Sequence, residues 1–443
     1  MSVQDLARRP IEIVTELPGP RAREMIGHAR SFLSPSLIHV YPLMVKRAAG
    51  CMVEDADGNV FLDCQAGVAT CSTGHCHPAV AAAVRAQAET LIHICGTDFH
   101  YPGYGELCER LARLAPGDDG WQTFLTNSGT EGVEAAIKLA RYYTGRSQLI
   151  AFRGGFHGRS LGALSLTASK TKYRQGFGPL LPGVHQSHFA HCSDCPIGQA
   201  YPACDIACIT EGIERDLFAH TVPPDEVAAI IVEPVQGEGG YVVPPPEFLR
   251  RLRAICDKHE ILLVFDEVQS GMGRTGAMFA AEHFGVAPDV IVLAKGLASG
   301  FPLGAMMARR EFMTWPSGSH GSTCGGNPVC IAAALTTLDL LENGLCDNAT
   351  RVGAHLEERL TRGLAEIPIV REVRGLGLMI GVELNAPAQA EAVADLCYRR
   401  GLLVLGCGKR AIRLSPPLVI TKEQADSAAD LFIAACAEVA VTP

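Results

Sequence analysis

Short apolar runs alternate along the chain with longer stretches in which apolar residues recur at helical spacing. Strand-like runs fall at Trp121–Thr126, Leu149–Phe152, Ala228–Glu233, Ile261–Phe265 and Val290–Ala294. The last two lack the polar alternation of a half-exposed sheet, so they predict strands buried on both faces of a parallel sheet. Helical patterns start near Ala79 behind Pro78, run through Val133, Ala136, Ile137 and Ala140, and recur at 330–341 and 347–366. Around Asp57-Gly58-Asn59 the pattern alternates instead, which predicts a hairpin across Val53–Cys64. Prolines at 18, 20, 35 and 42 punctuate the first 50 residues and predict an irregular arm. After residue 330 the chain changes to a separate α+β unit that includes the strand-like Leu378–Leu384 and ends near Ala411–Pro417.

Composition narrows the classes. The 443 residues suggest two or three domains, and 48% hydrophobic with 19% charged residues is globular and loop-rich α/β material. A net charge of -9 argues against nucleic acid as a partner. No apolar run approaches the roughly 18 residues that span a bilayer, and no apolar segment follows the N-terminal arginines, so neither a membrane anchor nor a signal peptide is expected. Seventeen cysteines without a secretory signal read as buried small hydrophobes in a reducing cytoplasm.

The candidate chemistry gathers at strand ends. One buried run ends in Asp266 and the next in Lys295. Ligands of open α/β sheets sit outside the carboxyl ends of the strands. An acid and an amine delivered there suit pyridoxal phosphate, the lysine forming a Schiff base and the acid pairing with the ring nitrogen; the plain alternative is a surface ion pair. Ser128-Gly129-Thr130-Glu131 at a helix start offers backbone donors to a phosphate, or simply a capping box. Phe156-His157-Gly158-Arg159 puts an aromatic, an imidazole and a guanidinium on one turn, with Phe156 able to stack on a planar cofactor and Arg159 to clamp a carboxylate; taken by itself, a surface loop with a snorkelling arginine is the preferred reading. Glu233 and Glu238 flank a glycine-rich turn as possible acid–base partners or ordinary loop acids.

Other motifs weigh less. His75 and His77 read as structural loop histidines rather than metal ligands. Cys192, Cys195, Cys204 and Cys208 leave a zinc or iron–sulfur site, disulfides and free thiols open, with free thiols preferred. Gly271-x-Gly273-x-x-Gly276 matches a dinucleotide pattern in the wrong context, with no helix opening at it.

In this order, Ser128–Glu131, Phe156–Arg159, Glu233–Gly240, Asp266–Gly271, Lys295-Gly296 and Arg413 resemble the class III (omega-amino acid) aminotransferases, with 4-aminobutyrate aminotransferases the best likeness. The resemblance spans about residues 43–421. It implies a fold type I α/β architecture: a large domain at 76–330 with a seven-stranded, mostly parallel sheet, and a smaller α+β domain at 331–443 joined by the arm and hairpin at 1–75. It also implies roles. Lys295 and Asp266 are catalytic. Pyridoxal 5'-phosphate is held by Gly129, Thr130, Phe156, Asp266, Val268, Gln269 and Lys295, with Thr323 reaching the phosphate of a neighbouring subunit. Arg159, Glu238 and Arg413 bind substrate, and no metal is needed. The implied reaction moves an amino group from a 4-aminobutyrate- or ornithine-like donor to 2-oxoglutarate, in a homodimer or dimer of dimers with shared sites. The motifs equally suit an amino-acid racemase or epimerase. A catalytically silent binding protein is disfavoured by the intact Lys295 and Asp266, and a nicotinamide dehydrogenase would rest on the Gly271 pattern alone.

Overall fold

The computed structural model of the protein describes residues 3–117 and 120–441. The described residues form three sheets. The expected hairpin is present: β1 (Val45–Ala49), β2 (Met52–Asp55) and β3 (Val60–Asp63) run antiparallel. Its turn anchors the N-terminal arm, because the Asp57 carboxylate accepts the Arg21 and Ala22 N–H groups at 2.9 and 2.8 Å. These are free donors of the first turn of the helix Pro20–Arg30.

The strand-like runs build the central sheet. Its strands are β4 (Trp121–Thr126), β5 (Gln148–Phe152), β6 (Val184–Ser187), β7 (Val227–Val232), β8 (Leu262–Asp266), β9 (Val290–Leu293) and β10 (Gly304–Arg309), in the order β4-β10-β9-β8-β7-β5-β6. Pairings among β5 to β9 are parallel, and β10 runs antiparallel to both its neighbours. Both faces are buried, as the unbroken apolar runs predict. Leu262, Val264, Val290 and Val292 face a core shared with the helix Gly129–Thr144. Leu263, Phe265, Ile291 and Leu293 face the opposite core, shared with Pro246–His259.

The last third supplies β11 (Val370–Leu376), β12 (Met379–Leu384), β13 (Leu402–Leu403), β14 (Leu405–Cys407) and β15 (Ala411–Leu414). Four of these form the antiparallel sheet β11-β12-β15-β14, while β13 adds in parallel to β3 and joins the two ends of the chain. One stretch is more apolar than expected. The helical run Pro328–Leu364 contains an 18-residue window of mean hydropathy 1.4, long and apolar enough for a membrane span. It is broken at Gly344, where φ is +126°. Its first half packs Ile331, Ala333, Ala334 and Leu338 into the core beside the helices Pro78–Thr90 and Pro102–Leu114. The Gly271–Gly276 turn opens no helix. It carries the buried Arg274, which donates to the carbonyls of Leu378 and Pro416 at 3.1 and 2.6 Å.

Candidate functional site

Every parallel strand delivers its carboxyl end to one edge of the central sheet, and a cavity of about 480 Å³ opens there. Asp266 closes β8 and is buried. One of its oxygens accepts the Val268 N–H at 3.1 Å, and the other lies 2.8 Å from Nδ1 of the buried His157. Burial lowers the basicity of that imidazole, but the hydrogen bond and charge of Asp266 outweigh it and raise its pKa above the ordinary value. His157 therefore acts as a proton-bearing brace behind the carboxylate.

Lys295 follows β9 after one residue and projects into the same cavity. Its backbone takes φ +42°, a left-handed conformation that costs a non-glycine residue about 1–3 kcal/mol and collects at functional sites. The next residue has no room for a side chain: a Cβ on Gly296 would stand 2.7 Å from the Ser72 hydroxyl. Burial, joined by the charge of Arg413, pulls the Lys295 amine down to about 8 against the opposing carboxylates of Asp266, Glu233 and Glu238. A depressed lysine is a better nucleophile near neutral pH.

The surrounding loops are pinned by a second acid. Glu233, one residue past β7, accepts the N–H groups of Phe156 and Gly237, both at 3.0 Å. Burial pushes its carboxyl up to about 7, with the charge of Asp266 adding and that of His157 opposing. At the start of the helix Gly129–Thr144, Ser128 accepts the Glu131 N–H at 3.4 Å, whereas Glu131 reaches back to the N–H of Asn127 rather than of Ser128. Gly129 leaves a cradle there, because a Cβ would meet the Val268 methyls at 2.8 and 2.9 Å. Beside the cavity stands a polar cluster. Arg413, on β15, lies 3.1 Å from one Glu238 oxygen, and the second oxygen is held by Lys170 at 2.7 Å and the Tyr173 hydroxyl at 3.0 Å. Arg159 is exposed and stacks 4.6 Å above the Tyr173 ring.

Comparison with known proteins agrees with this geometry. The profile described as aminotransferase class III matches residues 35–436. The chain belongs to the class III aminotransferase family. It is 39% identical over 435 residues to an alanine/serine racemase of Pyrococcus horikoshii, covering 95% of this chain and 91% of that one. It is 40% identical over 416 residues to a 4-aminobutyrate aminotransferase of Escherichia coli K12, covering 91% and 95%. Among solved structures, a pyridoxal phosphate-bound amine transaminase from an uncultivated Pseudomonas species superposes with a TM-score of 0.83 at 34% identity, covering 92% and 98%. The protein is accordingly a pyridoxal phosphate-dependent class III transaminase. Its own residues fit that cofactor: a depressed amine, a braced carboxylate and a glycine cradle at a helix N-terminus line one cavity.

Of the residues expected in a class III site, Gly129, Thr130, Phe156, Arg159, Asp266, Val268, Gln269 and Lys295 line this cavity. Glu238 and Arg413 meet at its edge. Thr323 does not join them; it is exposed, on a loop tied to the site by the 3.1 Å bond from the Asn127 amide to Ser322. Cys192, Cys195, Cys204 and Cys208 form no disulfide. The grouping among the described residues drawn together tightly enough to hold a metal is His191, Glu372 and Glu383, and Arg374 already engages both of those carboxylates. His75 is bonded to Asp63 at 2.7 Å. Sequence reasoning left His157 without a role and missed Lys170 and Tyr173. It also missed the turn Ala66–Ala69, four successive residues at positive φ beside Thr70 in the cavity wall.

Proposed function

We propose that the enzyme moves the amino group of an omega-amino acid, of the 4-aminobutyrate or ornithine kind, to 2-oxoglutarate. The carrying observation is the Glu238–Arg413 ion pair, linked through Tyr173 to Arg159. A transaminase of this kind must accept two substrates in turn. Glutamate brings two carboxylates and needs two guanidinium forks, Arg159 and Arg413. An omega-amino acid brings only the distal one, and a buried Arg413 left alone would be costly. Glu238, on its glycine-flanked turn, neutralises Arg413 for the second substrate and withdraws for the first.

In this reading Lys295 binds the cofactor and later carries a proton between the substrate carbon and the cofactor. Asp266, braced by His157, keeps the ring nitrogen protonated. Gly129 and Thr130 would hold the cofactor's phosphate, and Phe156, Val268 and Gln269 would hold its ring. When bound, pyridoxal phosphate supplies the electron sink for the carbanion that deprotonation leaves behind. Residues 76–330 form the cofactor domain, and 1–75 with 331–443 form the smaller domain that carries Arg413. The exposed Thr323 completes a neighbouring copy's phosphate site, which makes a homodimer the smallest active unit. A cytoplasmic setting accords with seventeen free thiols.

The racemase among the relatives favours a second reading, interconversion of α-amino acid enantiomers by the same lysine. The test is a donor panel with the loaded enzyme. Spectral conversion of the cofactor by 4-aminobutyrate or ornithine, reversed by 2-oxoglutarate, supports the transaminase. Inversion of alanine or serine on chiral analysis, without conversion by omega-amino donors, supports the racemase.

A further inference from the structure

Ser160 stands at the cap position of the short helix Leu161–Leu166 but does not cap it with its side chain. A cap serine ordinarily accepts an N–H of that first turn. Here the Ala163 N–H goes instead to Oε1 of Glu134, on the helix Gly129–Thr144, at 3.0 Å. The Ser160 hydroxyl donates to the same oxygen at 2.5 Å. An ionised carboxylate has no proton to give, so the Ser160 proton is committed to that bond. Ser160 Oγ also lies 2.6 Å from Thr130 Oγ1, and the proton in that contact is therefore Thr130's. The Ser160 N–H returns to Thr130 Oγ1 at 3.3 Å.

Thr130 and Glu134 stand four residues apart, on one face of their helix, and hold the loop at two points. Glycines make the approach possible: a Cβ on Gly158 would collide with Thr130 Oγ1, and one on Gly162 with Oε2 of Glu134. Arg159 lies between Gly158 and Ser160, so both its chain neighbours are pressed against Thr130. Its own side chain is exposed and leans on the Tyr173 ring. A long exposed side chain has many rotamers, so the reach of its fork is set first by the backbone beneath it.

We propose that Ser160 and Glu134 are positioning residues for Arg159, fixing the backbone from which its guanidinium reaches a substrate carboxylate. The inference rests on the carboxylate role given to Arg159 above. Thr130 and Arg159 line the cavity, whereas Ser160 and Glu134 stand behind them and act through them. Loss of the chain frees the Arg159 turn but leaves in place the main-chain donors that open the helix Gly129–Thr144.

The test is single-turnover conversion of the cofactor-loaded enzyme by 4-aminobutyrate and by glutamate, read as a half-saturating concentration and a limiting rate. Cofactor affinity is measured separately, by fluorescence titration of the apoenzyme. Ser160→Ala and Glu134→Ala should each raise the half-saturating concentration about tenfold, with limiting rate and cofactor affinity changed less than about threefold. Glu134→Gln, which keeps an acceptor oxygen, should recover most of the loss. In an Arg159→Ala background, Ser160→Ala should add less than about twofold, because nothing is left to position. A full added loss in that background, or a loss of cofactor affinity as large as the loss for substrate, assigns the chain to the fold or the phosphate cradle and overturns the proposal. Unchanged half-saturation in both alanine variants overturns it too, while leaving the role of Arg159 intact. An Arg159→Ala enzyme that matches wild type removes that role, and this inference with it.

Discussion

Glu238 and Arg413 meet at 3.1 Å, yet Nε and Nη1 of that buried guanidinium have no partner. The pair neutralises Arg413 without satisfying it, which leaves a fork open to an arriving carboxylate. Glu238→Ala should slow the half-reaction with 4-aminobutyrate by roughly tenfold or more while costing the glutamate half-reaction less, because breaking a buried pair strands a charge. Arg413→Ala should do the reverse. Single-turnover rates with each donor measure both, and equal losses in both half-reactions contradict the switch.

Lys170 holds the other Glu238 oxygen at 2.7 Å and is placed to keep that carboxylate paired when Arg413 turns to glutamate. Glu238 has its pKa held below the ordinary range because Arg413, Lys170 and Tyr173 together outweigh its burial. Lys170→Met should raise KM for glutamate about threefold to tenfold, the weight of a partly exposed charge pair or somewhat more. KM for 4-aminobutyrate should move by less than about twofold. A larger effect on 4-aminobutyrate than on glutamate would show that Lys170 does not receive Glu238.

Asp266 and His157 share one hydrogen bond of 2.8 Å and act as a unit. Asp266→Asn should lower turnover by roughly two orders of magnitude or more, as loss of a preorganised charge at a reacting group does. His157→Asn should cost on the order of tenfold, since it works only through Asp266. In the double variant the losses should not multiply. Multiplying losses mean that His157 has a separate task.

Asp63 accepts a bond from His75 behind the left-handed turn Ala66–Ala69, and it also accepts the N–H groups of Gln65 and Ala66 that begin that turn. Burial alone would lower the His75 pKa, but Asp63 and Cys71 raise it to about 10. A histidine whose folded pKa lies above its unfolded value of about 6.5 stabilises fully below that value and loses the contribution as pH rises towards 10. The melting temperature of wild type should therefore fall towards that of His75→Gln between about pH 6.5 and 10. A difference between the two proteins that is flat over this window contradicts the charged pair.

The central sheet was legible because buried parallel strands are unbroken apolar runs, and an Asp or Lys ending such a run stands out, which marks Asp266 and Lys295 as candidates. The glycines were legible for a related reason: Gly129 and Gly296 sit where the backbone passes too close to Val268 or Ser72 for any side chain. Lys170 and Tyr173 were not, because they sit at one short turn, Lys170 as the cap before Thr171–Tyr173, whose position depends on contacts with Glu238 and Arg159 from other elements. Ala66-Gly67-Val68-Ala69 carries no local mark of its left-handed path, which hydrogen bonds to Asp63 and within the turn impose.

The central claim is that the chemistry rests on Lys295 at the end of β9, and borohydride reduction of the cofactor-loaded enzyme followed by peptide mass spectrometry tests it most directly. The account predicts that the cofactor is fixed to the peptide containing Lys295, and that folded Lys295→Ala neither retains it covalently nor turns over. Fixation on a different lysine in the wild type, or sustained turnover by Lys295→Ala, would contradict it.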